Sequence, residues 1–481
     1  MSDLGSKNAL AVVGMAIAVG LLLLVRPAYF ADASWLGMIV AAEILFFAIL
    51  KFRKAFFPVL MGTFLGAGIS SSLHGAFVFG RWLVLGIGAA AGMALFIKSR
   101  NHHFNVFHLV AAFCLLAAVV SALVSAYPEE ALLKTLSLVL LFMYAASGGR
   151  IAAEATEERP NMFFHRMVTA CEVLTVLTAV SYFVLHWEFF GNPNSLGATM
   201  GVVVIPLLLW GFFVSETISQ RRRLTASLLL SILLLMNSFA RAGIAAAAFS
   251  CFLWCVALRQ YRVLLKGVVA AGVLAVVAAI FVSQPSDVPK TDSSEPVAAT
   301  FLYKGHKEGG VLASRKGVWR QTWDAIKQNP WCGSGFGTSI VADDMTALAF
   351  ARHHIDSWVV REHGNSYLEI AEWVGLLGVV PFYTLVVLAA VNLKRVFSWV
   401  RRTGDIQLPA APVAMVVAAG LVHAAFEDWL FAVGYYLCVF FWTMAFILVD
   451  VVPRPATVWV LNPPPAIPDP QLQILPAASA S

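Results

Sequence analysis

Three stretches of this sequence combine residue types that could grip an anion or move a proton. The first is Asn237-Ser-Phe-Ala-Arg241-Ala-Gly243, a polar turn between two apolar runs. Two readings fit Arg241. It is a guanidinium reaching to lipid phosphate at a membrane boundary, or it belongs to an anion site, where a planar, permanently charged fork holds phosphate oxygens in pairs. The second stretch is the amphipathic run 314–328, ended by Asn329-Pro330. Arg315 lies one turn before Trp319, and Trp319, Trp323 and Ile326 recur at i, i+4, i+7, so a helix is predicted with its tryptophans at headgroup depth. The third is Arg361-Glu-His363-Gly-Asn365-Ser-Tyr-Leu-Glu369-Ile-Ala-Glu372. Asn365, Glu369 and Glu372 share one face of a helix that runs into an apolar segment, where carboxylates are costly and usually functional. His363 has the chemistry of a general base near neutral pH; a surface histidine beside a helix cap and solvated acids is the plainer reading.

Weaker signals accompany these. Asn192 and Asn194, in Phe190-Gly-Asn-Pro-Asn-Ser-Leu-Gly197, could hydrogen-bond a sugar or cap a helix. Glu427 and Asp428 end an apolar run and could help line a site. Asp343-Asp344 has the charge for Mg²⁺, but adjacent loop acids are ordinarily just solvated. Gly333, Gly335 and Gly337 lack the lysine and strand context of a phosphate loop and read as a turn. Gly375 and Gly378 read as close helix packing. The six cysteines show no CxxC and no ligand spacing, which supports neither a disulfide framework nor a zinc site.

The elements that must position these residues are membrane helices. Of 481 residues, 60% are hydrophobic and 12% charged, with mean hydropathy +0.79. A soluble domain carries roughly 25% charged residues. Apolar runs lie near 9–25, 35–50, 55–70, 78–97, 105–126, 131–148, 164–186, 195–214, 224–239, 242–258, 263–283, 374–393, 409–426 and 430–452. This predicts an all-α polytopic bundle of 12–14 spans, about 20 residues each. The run 9–25, behind Lys7, reads as a retained first helix and not a cleaved signal. Cations cluster at every second connection: Lys51/Arg53/Lys54, Lys98/Arg100, Arg150/Arg159, Arg221–Arg223, Arg259/Arg262/Lys266 and Lys394/Arg395/Arg401/Arg402. By the positive-inside rule these connections and both termini are cytoplasmic. The expected organisation is N-terminal spans 1–283, a large outer loop with short helices 284–373, C-terminal spans 374–452 and a tail 453–481 too proline-rich to pack. The +6 net charge is distributed by topology, and no basic tract is interleaved with aromatics, so no nucleic-acid partner is expected.

At these residues the chain resembles the O-antigen ligase and polymerase superfamily of lipid-linked glycan transferases in the bacterial inner membrane. The resemblance rests on Gly191-Asn-Pro-Asn194, on Ser238-Phe-Ala-Arg241, on Arg315 through Trp319 to Pro330-Trp-Cys-Gly-Ser-Gly-Phe-Gly337, and on Asn365-Ser-Tyr-Leu-Glu369 with Glu372 and Gly375-Leu-Leu-Gly378. It covers roughly 190–450. The family histidine directly precedes the asparagine; here Gly364 stands between, which inside a helix would turn the ring by about 100°. The resemblance implies transfer of a glycan from undecaprenyl diphosphate, at the periplasmic face of a Gram-negative inner membrane, onto lipid A-core. Extension of a growing glycan from the same donor is the alternative, and a lipid-glycan flippase is the alternative of another class. The implied roles are leaving-group stabilisation by Arg241 and Arg315 and base catalysis by His363 or Glu369. Asn192, Asn194, Arg320, Asn365, Glu372 and Glu427 are assigned to substrate binding, with membrane lipids as surroundings. No metal or cofactor is implied.

Overall fold

The computed structural model describes residues 53–69, 74–98, 104–150, 161–187, 189–282, 313–340 and 362–453, with Ile44 and Phe46. The run 9–25, most of 35–50, Asp343, Asp344, Arg361 and the tail beyond 453 lie outside the described residues. Within them every regular element is helical. In order they are α1 (Arg53–Gly68), α2 (His74–Lys98), α3 (Val106–Leu123), α4 (Pro128–Tyr144), α5 (Met162–Phe183), α6 (Pro193–Val214), α7 (Ile218–Asn237), α8 (Arg241–Ala257), α9 (Tyr261–Val282), α10 (Ala313–Gln328), α11 (Ser366–Thr403), α12 (Ala410–Ala424) and α13 (Tyr436–Val451). Six of these, α2 to α6 and α11, are long and apolar enough to cross a membrane, and α1, α8, α12 and α13 are shorter apolar helices.

Helix faces identify the solvent. On α3 the exposed residues are Leu109, Phe113, Leu116, Val120 and Leu123, while Phe107, Ala111, Cys114, Ala118 and Ala122 are buried. Both sets recur every three or four residues, so α3 is apolar on the core side and on the outside alike. The same outward stripe runs along α5 (Val173, Val176, Val180) and α11 (Leu377, Val380, Val387). Water would not tolerate such faces; hydrocarbon does. The chain is a multi-pass membrane protein. Its centre is the pair α12 and α13, where residues 410–420 and 436–449 are all buried.

Packing without a hydrophobic drive between helices requires close approach. The α6–α8 contact meets that requirement with glycine. A Cβ on Gly201 would strike the Gly243 carbonyl, and one on Gly243 would strike the Gly197 carbonyl. Just there α6 widens into a π-turn at Thr199–Val204, with the Thr199 hydroxyl donating to the Ser195 carbonyl at 2.8 Å and lying 2.6 Å from the Tyr436 hydroxyl. At the opposite end of the bundle, Arg150 is buried. It is 3% exposed, paired with Asp450 at the end of α13 and 2.6 Å from the His108 ring. Its counter-charge makes this cation an internal tie.

Overpacking the glycine contact should therefore be costly. Gly201→Val should destabilise the purified protein by more than about 2 kcal/mol. Gly62→Val, in α1 where an added Cβ meets nothing within 4 Å, should leave the melting temperature within a few degrees of the parent.

Candidate active site

The site is built where α11 begins. Asn365 caps the helix, its Oδ1 accepting from the N–H groups of Tyr367 (2.9 Å) and Leu368 (3.1 Å), while its Nδ2 donates to the Ala425 carbonyl at 2.9 Å. Ser366 donates through both N–H (3.1 Å) and Oγ (2.7 Å) to the Glu427 carbonyl and accepts from the Trp429 N–H at 2.9 Å. The start of α11 is thereby stitched to the turn joining α12 and α13. Gly364 precedes the cap at φ +60°, with the Arg315 side chain lying against it and its carbonyl accepting from Trp319 Nε1 at 3.2 Å. A side chain there would displace the guanidinium. His363 to Asn365 lie outside the helix, so the inserted glycine is absorbed by a turn and causes no helical rotation.

A second splice holds the next turn of α11. Gly375 (φ 63°, ψ −173°) interrupts the helix, and the N–H groups of Leu376 and Leu377 donate to the carbonyls of Pro330 (2.8 Å) and Trp331 (3.1 Å). In return the Glu372 and Trp373 carbonyls accept from the N–H groups of Ser334 (2.9 Å) and Gly335 (3.1 Å). Gly333 and Gly335 have positive φ, and a Cβ on Gly333 would strike the Glu372 and Trp373 carbonyls. These glycines are thus more than a turn, and Gly375 serves this exchange of backbone hydrogen bonds rather than helix packing. Ser125, which donates to the Ser334 carbonyl at 2.9 Å, and Lys134, which donates to the Gly337 carbonyl, pin the loop from below.

The two splices bury His363 among carboxylates. The ring is 1% exposed. Its Nε2 is 3.3 Å from Glu372 Oε2, and its Nδ1 is 3.9 Å from Glu369 Oε1 and 3.8 Å from Asp428 Oδ2. Asp428 Oδ2 also accepts from the His363 N–H at 2.6 Å. The Trp373 ring stands edge-on at 5.9 Å. Burial by itself lowers the pKa of His363, but Asp428, Glu372 and Glu369 outweigh it and push it up to about 9. The surface-histidine reading is overturned, and so is the reading of Glu369 and Glu372 as solvated acids: both are buried. Glu369 Oε2 is buried and accepts no hydrogen bond among the described residues.

Arg315 flanks the cluster. Its Nη2 is 2.5 Å from Glu427 Oε1 and its Nη1 is 4.0 Å from Glu362. Burial raises the Glu427 pKa to about 7 against the opposing pull of Arg315. Asp428 is half-buried; burial raises its pKa, but the His363 ring and N–H hold it below the ordinary aspartate value. Along α10 Thr322 and Ala325 are buried and Trp319 and Ile326 half-buried, whereas Arg320 and Trp323 are exposed. Arg241 opens α8, half-buried, behind the strained Phe239 (φ 51°). Asn192 caps α6 by accepting from the Asn194 N–H at 2.8 Å, as the capping alternative has it. Ser195, one residue on from Asn194, accepts through its carbonyl from the Tyr436 hydroxyl at 3.1 Å. The Tyr435 hydroxyl in turn lies 3.1 Å from that of Tyr436. So Arg315, His363, Glu369, Glu372 and Glu427 converge, while Asn192, Asn194 and Arg241 sit on the adjoining α6–α8 corner. Sequence reasoning missed Lys134 and Ser339 and offered Asp428 only as a residue that could help line a site; an isolated lysine inside the apolar run 131–148 was an available signal.

His363, Glu369 and Asp428 each present a ligand atom within 4.8 Å of the others, as do Glu362, Glu427 and Asp428. That spacing would accept a cation; the first group already encloses the charge of a protonated imidazole. Comparison with known proteins adds one finding: residues 226–383 match a family described as O-Antigen ligase. The match includes Arg241, Arg315, His363, Glu369 and Glu372 and ends before Glu427. No curated protein matches the chain.

The raised pKa of His363 is a stability statement. Its contribution is complete below the ordinary value of 6.5 and is lost as pH rises through about 9. Glu427, raised to about 7, is also less well accommodated once ionised, so the two act in the same direction. The melting temperature should fall between pH 6.5 and 9, and His363→Gln should flatten that fall. An unchanged slope in the variant would remove His363 as its source.

Proposed function

We propose that this chain, a member of the O-antigen ligase superfamily, moves a glycan from undecaprenyl diphosphate to lipid A-core at the periplasmic face of the inner membrane. The observation that carries this reading is one cluster, buried at His363, Glu369 and Glu372 and half-buried at Arg315, Glu427 and Asp428, in which Arg315 and a protonated His363 stand among four carboxyl groups at the end of the apolar bundle. Such a mixed-charge site suits a reaction that gathers negative charge on a leaving group and releases a proton from a nucleophile.

In this mechanism the acceptor hydroxyl attacks the anomeric carbon. The bond from that carbon to the diphosphate oxygen breaks, and its electron pair leaves with undecaprenyl diphosphate. Fixed cations stabilise that charge without reorganising; Arg315 and Arg241 take this role, with no metal required. The hydroxyl proton passes to a carboxylate. Glu369 is the group assigned to it, because His363 already holds its proton at neutral pH and Glu369 Oε2 has spare accepting capacity. His363 then serves as a fixed positive charge that keeps three carboxylates together. No nucleotide is needed, since the free energy of transfer resides in the lipid diphosphate.

The test is transfer by protein in liposomes, followed by release of undecaprenyl diphosphate. Arg315→Ala and Arg241→Ala should each slow transfer at least about 100-fold with insertion intact. Near-normal rates from both would remove the anion-site assignment. Glu369→Gln should be equally slow. Supplying lipid A-core and the lipid-linked glycan as separate acceptors distinguishes ligation from polymerisation: product on lipid A-core alone is expected.

A further inference from the structure

Ser339 closes the Gly-rich turn and is 1% exposed. Its hydroxyl donates to Glu372 Oε1 at 2.5 Å, while the other oxygen of the same carboxylate faces His363 Nε2 at 3.3 Å. The backbone splice at Ser334 and Gly335 fixes the main chain of Glu372 and Trp373 and does not itself hold the carboxylate. The hydroxyl of Ser339 opposes that rotation. Its own place is set by the loop, since Ser334 Oγ donates to the neighbouring Thr338 carbonyl at 2.7 Å and Lys134 holds the Gly337 carbonyl. A line of contacts therefore runs from α4 through the turn to Ser339, Glu372 and the His363 ring, whose far nitrogen faces Glu369 and Asp428.

We propose that Ser339 is a positioning residue of the transfer site: by holding Glu372 against Nε2 it sets the plane of the His363 ring, and through the ring the place of Glu369. This rests on the transfer reading above. A buried carboxylate that loses a donor reorients toward whatever partner remains. A displacement of that kind acts on the reacting geometry more than on substrate affinity. Nothing in the sequence around Ser339 distinguishes it, because its partner lies 33 residues further along the chain.

The experiment compares Ser339→Thr with Ser339→Val, side chains of equal bulk that differ by the hydroxyl. Liposomes containing the protein are given an undecaprenyl-diphosphate-linked glycan and lipid A-core. Ser339→Val should lower kcat about tenfold with the donor KM within about twofold, while Ser339→Thr stays within about threefold of the parent in kcat. The deficit should vanish in a Glu372→Ala background, as expected of two residues acting as a unit. If both variants misfold on bulk, Ser339→Ala replaces Val and is read against the parent. Equal rates for Thr and Val, or an undiminished effect beside Glu372→Ala, overturn the positioning role. His363→Ala and Arg315→Ala in the same assay separate the two failures: if they are inactive while Ser339→Val is normal, transfer stands and only Ser339 is wrong. If they too are normal, both assignments fall.

Discussion

An imidazole ring buried in an apolar bundle can hold its charge only where carboxyl groups surround it, and they in turn tolerate burial because of that charge. His363 is held in this mutual dependence by Glu369, Glu372 and Asp428. Each group alone would be expensive to bury next to hydrocarbon. Together they are tolerated, provided that the distances are kept. Most of the local structure around them does that: the cap at Asn365, the stitch at Ser366, the break at Gly375 and the loop spliced across it.

That constraint explains why the polar machinery lies on backbone irregularities. A regular helix satisfies its own hydrogen bonds and has none to share. At Gly375 the helix gives some up, and residues 330–335 supply the missing partners. The loop is thereby fastened to the bundle with main-chain bonds. At the α6–α8 corner the π-turn and the absence of side chains at Gly197, Gly201 and Gly243 play a related part, bringing the Asn192 and Arg241 turns beside Tyr436.

Much of this was legible in the sequence. The apolar runs from residue 55 onward each became a helix, because lipid leaves the backbone no alternative once side chains are apolar over such lengths. Arg315, His363, Glu369 and Glu372 stood out as charges where charge is costly. What the sequence could not express was pairing across distance. Asp428 lies 65 residues from the histidine it binds, and Lys134 lies 203 from the carbonyl it holds. Arg150 shows the same reach, since its partner Asp450 is 300 residues away.

The charge state of one ring governs the site. It is read directly from ¹⁵N shifts of histidine-labelled protein, with His363 assigned by its loss in His363→Gln. Both ring nitrogens of His363 should remain protonated at pH 8, below its pKa of about 9. A neutral His363 at pH 7 would contradict the carboxylate cage, and with it the assignment of Glu369 as the proton acceptor.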